Sequence, residues 1–386
     1  MEAAALTPSP GRPRTALILT GGGARAAYQV GVLAAVAELL PNPRQNPFPI
    51  LCGTSAGAIN AASVACLADN FGKAVEILAG VWRNMHAGHI YRADALGIGL
   101  SGLHWMAMLM FGWLIHAPPK SLLDNAPLRG LLTRHLDFRG IDRSISVGAL
   151  HALSITASGY ESGDCISFFQ AHPTAEPWRR VQRLGMPARI GVDHLLASSA
   201  IPFIFPATHI NREYFGDGSM RQLAPISPAI HLGAERIMII GASRQNEMQD
   251  RSRSDSHPSL AQIAGHALSS IFLDSLAMDI ERLQRINRTL YAFPEATREE
   301  AGLPLRPIRT LVISPSQRLD LIAAHHAEAL PRPVKLLLRA IGAMNRRGGA
   351  LTSYLLFEQP YTQALMDLGY RDTMERADDV RDFLEL

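Results

Sequence analysis

An apolar run from Thr15 to Thr20 ends in three successive glycines, Gly21, Gly22 and Gly23, and a helical pattern begins straight after them. A short apolar run bounded by Pro13 and by glycine predicts a strand buried on both faces, which in turn requires a parallel sheet covered by helices. The segment Ala24 to Leu40 carries Val30, Leu33, Val36 and Leu40 at helical spacing, and Pro41 ends it. "FPILC", Phe48 to Cys52, followed by the small-residue segment Ala56 to Ala68, repeats the arrangement. Two strand–turn–helix units in succession predict an α/β fold of three layers, a central and mostly parallel sheet flanked by helices.

Farther along, "LSITAS" and "CISFFQ" flank the turn-like "GYESGD" and predict a hairpin, while Arg236–Ser243 and Arg309–Ser316 read as further strands. Between and after these the chain turns helical. Leu273, Leu276, Ile280, Leu283 and Ile286 form one apolar stripe of the kind that faces a core. With no repeat and no long linker, the chain reads as one elaborated domain: a disordered leader over 1–14, an α/β portion over 15–243 and a mainly helical part over 244–386 packed on it.

Composition narrows the function classes. A net charge of +3 is too small to mark a nucleic-acid binder, so no nucleic-acid partner is expected. Cys52, Cys66 and Cys165 form no CxxC pair and are odd in number, which argues for reduced thiols and a cytoplasmic protein. The N-terminal stretch lacks the basic head and continuous apolar run of a signal peptide. Leu103 to Ile115 is strongly apolar but falls short of the roughly 20 residues that cross a bilayer. Its aromatic and methionine side chains fit either a lipid-facing cap over 100–118 or a buried core helix. Arg332 to Arg347 sets Val334, Leu337, Leu338, Ile341 and Met344 against Lys335, Arg339 and Arg346. Such a helix suits peripheral contact with the inner face of a membrane or ordinary packing with a solvated polar face.

The second turn carries the chemistry. Gly53-Thr54-Ser55-Ala56-Gly57 is a GxSxG between a strand and a helix, where a sharp turn lifts a serine oxygen above the sheet and the helix N-terminus favours negative charge. Ser55 is therefore the candidate nucleophile, with Gly53 and Gly57 clearing space around it. An attacked ester develops an oxyanion, and its stabilisation needs backbone N–H groups converging with no side chain in the way. Gly21, Gly22 and Gly23 supply such groups from the neighbouring strand. The same glycines also satisfy G-x-G-x-x-A of a dinucleotide site, but the second strand runs into GxSxG where that site needs an acid for the ribose, and Glu38 lies within the helix. For the base that a serine needs, Asp217-Gly218-Ser219 stands after a short apolar run. A Ser–His–Asp triad is the rival arrangement, with His231, His257, His266, His325 or His326 as candidates.

GGGxR, then GxSxG, then "ASSAIPFIFP" (Ala197 to Pro206), then DGS, in that order, resembles the patatin-like phospholipase family. "SLLDNAPLRGLL" and the tail "SYLLFEQPYTQALMDLGY" are softer matches. The resemblance implies a patatin-like catalytic domain over 15–243 and a Ser–Asp dyad of Ser55 and Asp217, Gly218 supporting the latter. It also implies an oxyanion loop of Gly21, Gly22, Gly23, Ala24 and Arg25, no cofactor or metal, and a phospholipid or other acyl-ester lipid as substrate. Ala26 departs from the family, which usually has glycine there, and bears on the geometry of the loop. A lipid-binding protein without activity would share the fold, but the presence of both Ser55 and Asp217 speaks against it.

Overall fold

The computed structural model describes residues 14–92, 121–242, 260–294, 305–340, 342–343 and 349–386. The leader to Pro13, the apolar segment Leu103–Ile115 and the cap expected over 100–118 lie outside them. Ten strands form one mixed sheet among the described residues. They are β1 (Thr15–Leu19), β2 (Ile50–Thr54), β3 (Ala152–Gly159), β4 (Cys165–Ala171), β5 (Trp178–Arg180), β6 (Arg183–Pro187), β7 (Thr208–Ile210), β8 (Glu213–Asp217), β9 (Arg236–Ile240) and β10 (Arg309–Ile313). The order β10-β9-β1-β2-β3 runs parallel throughout, as the apolar strands predict. Beyond β3 the sheet continues as the antiparallel β3–β4 hairpin, because the short Tyr160–Asp164 connection cannot make a parallel crossover.

Successive residues of β1 alternate between two cores. Leu17 and Leu19 enter one, Ala16 and Ile18 the other. Full burial of each such Leu or Ile stabilises the fold by about 1.5–3 kcal/mol, which is why the strand is apolar on both faces. The first face is covered by α1 (Ala27–Leu39), α2 (Ala56–Ala65), α3 (Phe71–Arg83), α4 (Ala126–His135) and α5 (Val192–Ser198). The long α6 (Leu260–Tyr291) packs Ile280 and Leu283 into the second core, with Leu276 against it. Of the expected stripe, Ile286 is instead 36% exposed, Leu290 is buried one turn on, and the side chain of Leu273 lies outside the description.

The chain then returns to the first face with α7 (Arg332–Ala340), α8 (Gly349–Leu355) and α9 (Gln359–Met374). In α7, Val334 and Leu338 are buried in the core and Leu337 packs on it, so these apolar residues are already covered. Asp372 of α9 accepts from the Tyr28 hydroxyl at 2.9 Å and from the Ser316 hydroxyl at 2.6 Å, tying α1, α9 and the loop after β10 together. No helix among the described residues is long and apolar enough to cross a membrane.

Candidate active site

One parallel and one antiparallel pairing on β3 bring two distant turns side by side. β2 pairs with β3 as far as Thr54 opposite Thr156. At the next residue of β3, Ala157, the antiparallel β8 takes over with Asp217. Ser55 leaves the end of β2 as Asp217 arrives at the end of β8, and both are buried to 1% exposure. Ser55 has φ 55° and ψ −130°, a left-handed conformation uncommon for a residue with a side chain. It occupies the N-cap position of α2, yet its hydroxyl accepts none of the helix amides, so capping is not what it does there.

Gly57 lets that turn close. A Cβ on Gly57 would lie 2.3 Å from the Leu19 carbonyl oxygen and 2.5 Å from that of Thr20, so α2 presses on the end of β1. There the glycine loop begins, and Gly23, at φ 54°, opens a 3-10 turn over Gly23–Ala26. The first amides of such a turn have no intrahelical acceptor, and among the described residues no side chain caps them. Gly23 and Ser55 line one cavity. Ala24 is buried behind the loop, and Ala26, at φ −65° and ψ −10°, sits in ordinary helical geometry, so its methyl is accommodated. The Arg25 side chain is tied to α8, its Nε donating to Ser353 Oγ at 2.8 Å.

Several residues that hold this geometry had no assigned role in the sequence. The Ser55 amide donates to Ser198 Oγ at 2.9 Å, the Ser198 hydroxyl donates to the Thr156 carbonyl at 2.6 Å, and the Asp217 amide donates to the Ala200 carbonyl at 2.9 Å. One short stretch at the end of α5, Ser198 to Ala200, thus straps both turns to β3. Two serines inside the otherwise apolar "ASSAIP" are the signal that could have found it. Behind the glycine loop, Gln29 Nε2 donates to the Thr20 carbonyl at 2.7 Å, and Asn60 Nδ2 donates to the Ala26 carbonyl at 3.1 Å. Asn60 also donates to Gln29 Oε1 at 3.0 Å and accepts from Trp82 Nε1 at 2.9 Å. The carbonyls at both ends of the loop are held by one buried, mutually satisfied network.

Burial raises the Asp217 carboxyl from its ordinary 3.8 to about 6, against the opposing pull of Ser55 and of Ser219. Oδ1 accepts the Ser219 amide at 2.9 Å. Among the described residues Oδ2 meets no donor in hydrogen-bond geometry, while the Ser55 hydroxyl lies beside the carboxylate. Such contacts are commonly long before substrate binds.

The cavity at Ser55 has a volume of about 270 Å³, against the roughly 150 Å³ that accepts benzene in an apolar protein interior. Ser55, Ile59, Ser63 and Cys66, on one face of α2, line it, so it extends for about 16 Å at 1.5 Å per residue. Leu78 and Trp82 of α3 and Leu132 of α4 form other parts of the wall. His231, His266, His325 and His326 are not among its lining residues, and His257 lies outside the described residues. His231 stacks on Trp178 at 4.9 Å instead. Glu38 accepts from the Tyr370 hydroxyl at 2.8 Å on the exposed end of α1.

A cGAMP-activated phospholipase of Pseudomonas aeruginosa (strain BWHPSA011 / Pa011) is 30% identical over 216 residues, 54% of this chain and 53% of that protein. The chain therefore spans about half the length of that relative. Among solved structures, VipD from Legionella pneumophila matches at 13% identity and TM-score 0.34, covering 95% of this chain and 67% of its own. The type III effector ExoU matches at 15% identity and TM-score 0.28, covering 97% and 89%. The sequence profile of the patatin-like phospholipases matches residues 17–230, more than half of the chain and all three motif-bearing turns, and the chain belongs to that family.

Proposed function

We propose that the protein is a serine-dependent lipid acyl hydrolase of the phospholipase A or lysophospholipase type, with Ser55 as nucleophile, Asp217 as base and Gly21–Gly23 as oxyanion hole. The observation that carries this reading is a strained, buried Ser55 beside a buried carboxylate at an apolar cavity. In the reaction, an acyl chain lies along α2 and its ester carbonyl meets Ser55. Asp217 takes the hydroxyl proton as Oγ attacks, and the amides at the start of the 3-10 turn, together with the N-terminus of α2, receive the developing negative charge. Collapse expels the alcohol, which takes the proton from Asp217 and leaves an acyl-serine. Asp217 then deprotonates a water that attacks the acyl-serine, and the fatty acid leaves as Ser55 recovers its proton. Burial suits Asp217 to this work because a carboxylate with a pKa about 6 is a stronger base than one in water and is still ionised at neutral pH.

The test combines labelling by a fluorescent fluorophosphonate with fatty-acid release from phosphatidylglycerol–phosphatidylethanolamine vesicles. Wild type is expected to label and to release fatty acid, Ser55→Ala to do neither, and Asp217→Asn to be strongly reduced in both. A folded wild type that neither labels nor cleaves vesicles or soluble esters would leave a lipid-binding role on the same fold.

A further inference from the structure

We infer that α8 and the residues just after it, beyond the residues 17–230 matched by the family profile, are a working part of the active site, with Ser353 and Tyr354 as positioning residues for the oxyanion loop. The inference rests on the proposed role of Gly21–Gly23. Arg25 is 1% exposed, and a buried guanidinium must be met by acceptors or by a π-face. α8 supplies both. Ser353 Oγ accepts from Arg25 Nε at 2.8 Å while its hydroxyl donates to the Ala350 carbonyl at 2.5 Å, which turns the oxygen lone pairs toward the arginine. The guanidinium carbon sits 4.2 Å from the centre of the Tyr354 ring.

The backbone of the same residue reaches the loop itself. A Cβ on Gly23 would lie 2.3 Å from the Tyr354 carbonyl oxygen, so the loop and α8 are in direct contact. Gly57 of α2 presses on the Leu19 and Thr20 carbonyls where the loop begins, so the glycine loop is in contact with both α2 and α8. The segment is held in turn by two further tyrosines. The Tyr91 hydroxyl donates to the Leu355 carbonyl at 3.0 Å, and the Tyr361 hydroxyl shares its proton between the carbonyls of Leu319 at 3.3 Å and Ser353 at 3.4 Å. Tyr354 and Phe357 also line the Ser55 cavity. The direction of the loop amides therefore depends on residues more than a hundred positions beyond Asp217, and loosening them acts on transition-state stabilisation before it acts on binding.

The experiment uses the full chain with Ser353→Ala, Tyr354→Leu and Tyr354→Phe, and reads kcat and KM on a soluble acyl ester, the fluorophosphonate labelling rate and the melting temperature. Tyr354→Leu and Ser353→Ala are expected to lose about 10- to 100-fold in kcat and in labelling rate, and for Ser353→Ala, at a residue that does not line the cavity, KM is expected to stay within about twofold. Tyr354→Phe, which keeps the ring under Arg25, is expected to stay near wild type. Should Tyr354→Leu fail to fold, Ser353→Ala, which removes one oxygen, carries the test. Folded variants with wild-type kcat, or a loss equal in the Phe and Leu variants and tracking melting temperature, would overturn the inference while leaving the nucleophile reading intact. An unreactive wild type would overturn both.

Discussion

Ser55 and Asp217 reach each other because β3 changes partner between Thr156 and Ala157: the first pairs with Thr54, next to the serine, and the second with Asp217 itself. Neighbouring register positions on one strand bring the two turns together, and the Ser55 turn, held by Ser198, sets where the hydroxyl stands.

The proposed role of Asp217 as base predicts an acid limb in the pH–rate profile. Asp217 must be ionised to accept the Ser55 proton, so kcat/KM on a soluble ester is expected to fall about tenfold per pH unit below about 6 and to level off above 7. A pH–rate profile from 4.5 to 8 checks this. A flat profile would remove Asp217 as the base.

Its pKa also predicts a stability cost. A carboxyl moved from 3.8 to about 6 by burial binds a proton more tightly in the folded chain than in the unfolded one. The stabilisation it gives is complete below pH 4 and is lost as pH rises through 6, a difference of about 3 kcal/mol. Asp217→Asn is expected to melt higher than wild type at pH 7.5, with about two thirds of the difference gone at pH 4.5. A lower melting temperature at pH 7.5 would contradict the burial argument.

Ser198 is expected to matter without touching substrate. Ser198→Ala leaves the buried Ser55 amide without its acceptor and the Thr156 carbonyl without that donor, at about 1–3 kcal/mol. Urea unfolding measures the stability. The labelling rate should fall with it, since the elbow loses the group that fixes its backbone, and a folded variant labelling at the wild-type rate would show that the strap is only structural.

The face of α2 should set acyl length. Ser63→Phe fills the cavity two turns beyond Ser55, so kcat/KM for a palmitoyl ester is expected to drop about tenfold or more while that for a butyryl ester stays within about twofold. Parallel loss on both esters would place the acyl chain elsewhere.

The α/β class was legible because the features that specify it are local. Apolar runs against glycine mark buried strands, and the β3–β4 hairpin was announced by its turn residues. Helix starts were less legible: Gly23–Ala26 forms a 3-10 turn before α1, and Gly23 meets the Tyr354 carbonyl of a helix more than three hundred residues away. The sheet's antiparallel additions followed from a short connection, whereas the position of β8 at the far end of β3 followed from no pattern.

For the candidate site, the sequence determined which residues are chemically suited: a serine on a strand-to-helix turn, glycines free of side chains, an aspartate on a turn. Those traits belong to residue type and immediate neighbours. Only the tertiary structure decided that Asp217 meets Ser55, that Ser198 holds the Ser55 amide, that Arg25 turns toward Ser353 and Tyr354, and that the carboxyl titrates near 6. Strand register, helix packing and desolvation are sums over residues far apart in the chain, and no local window contains them.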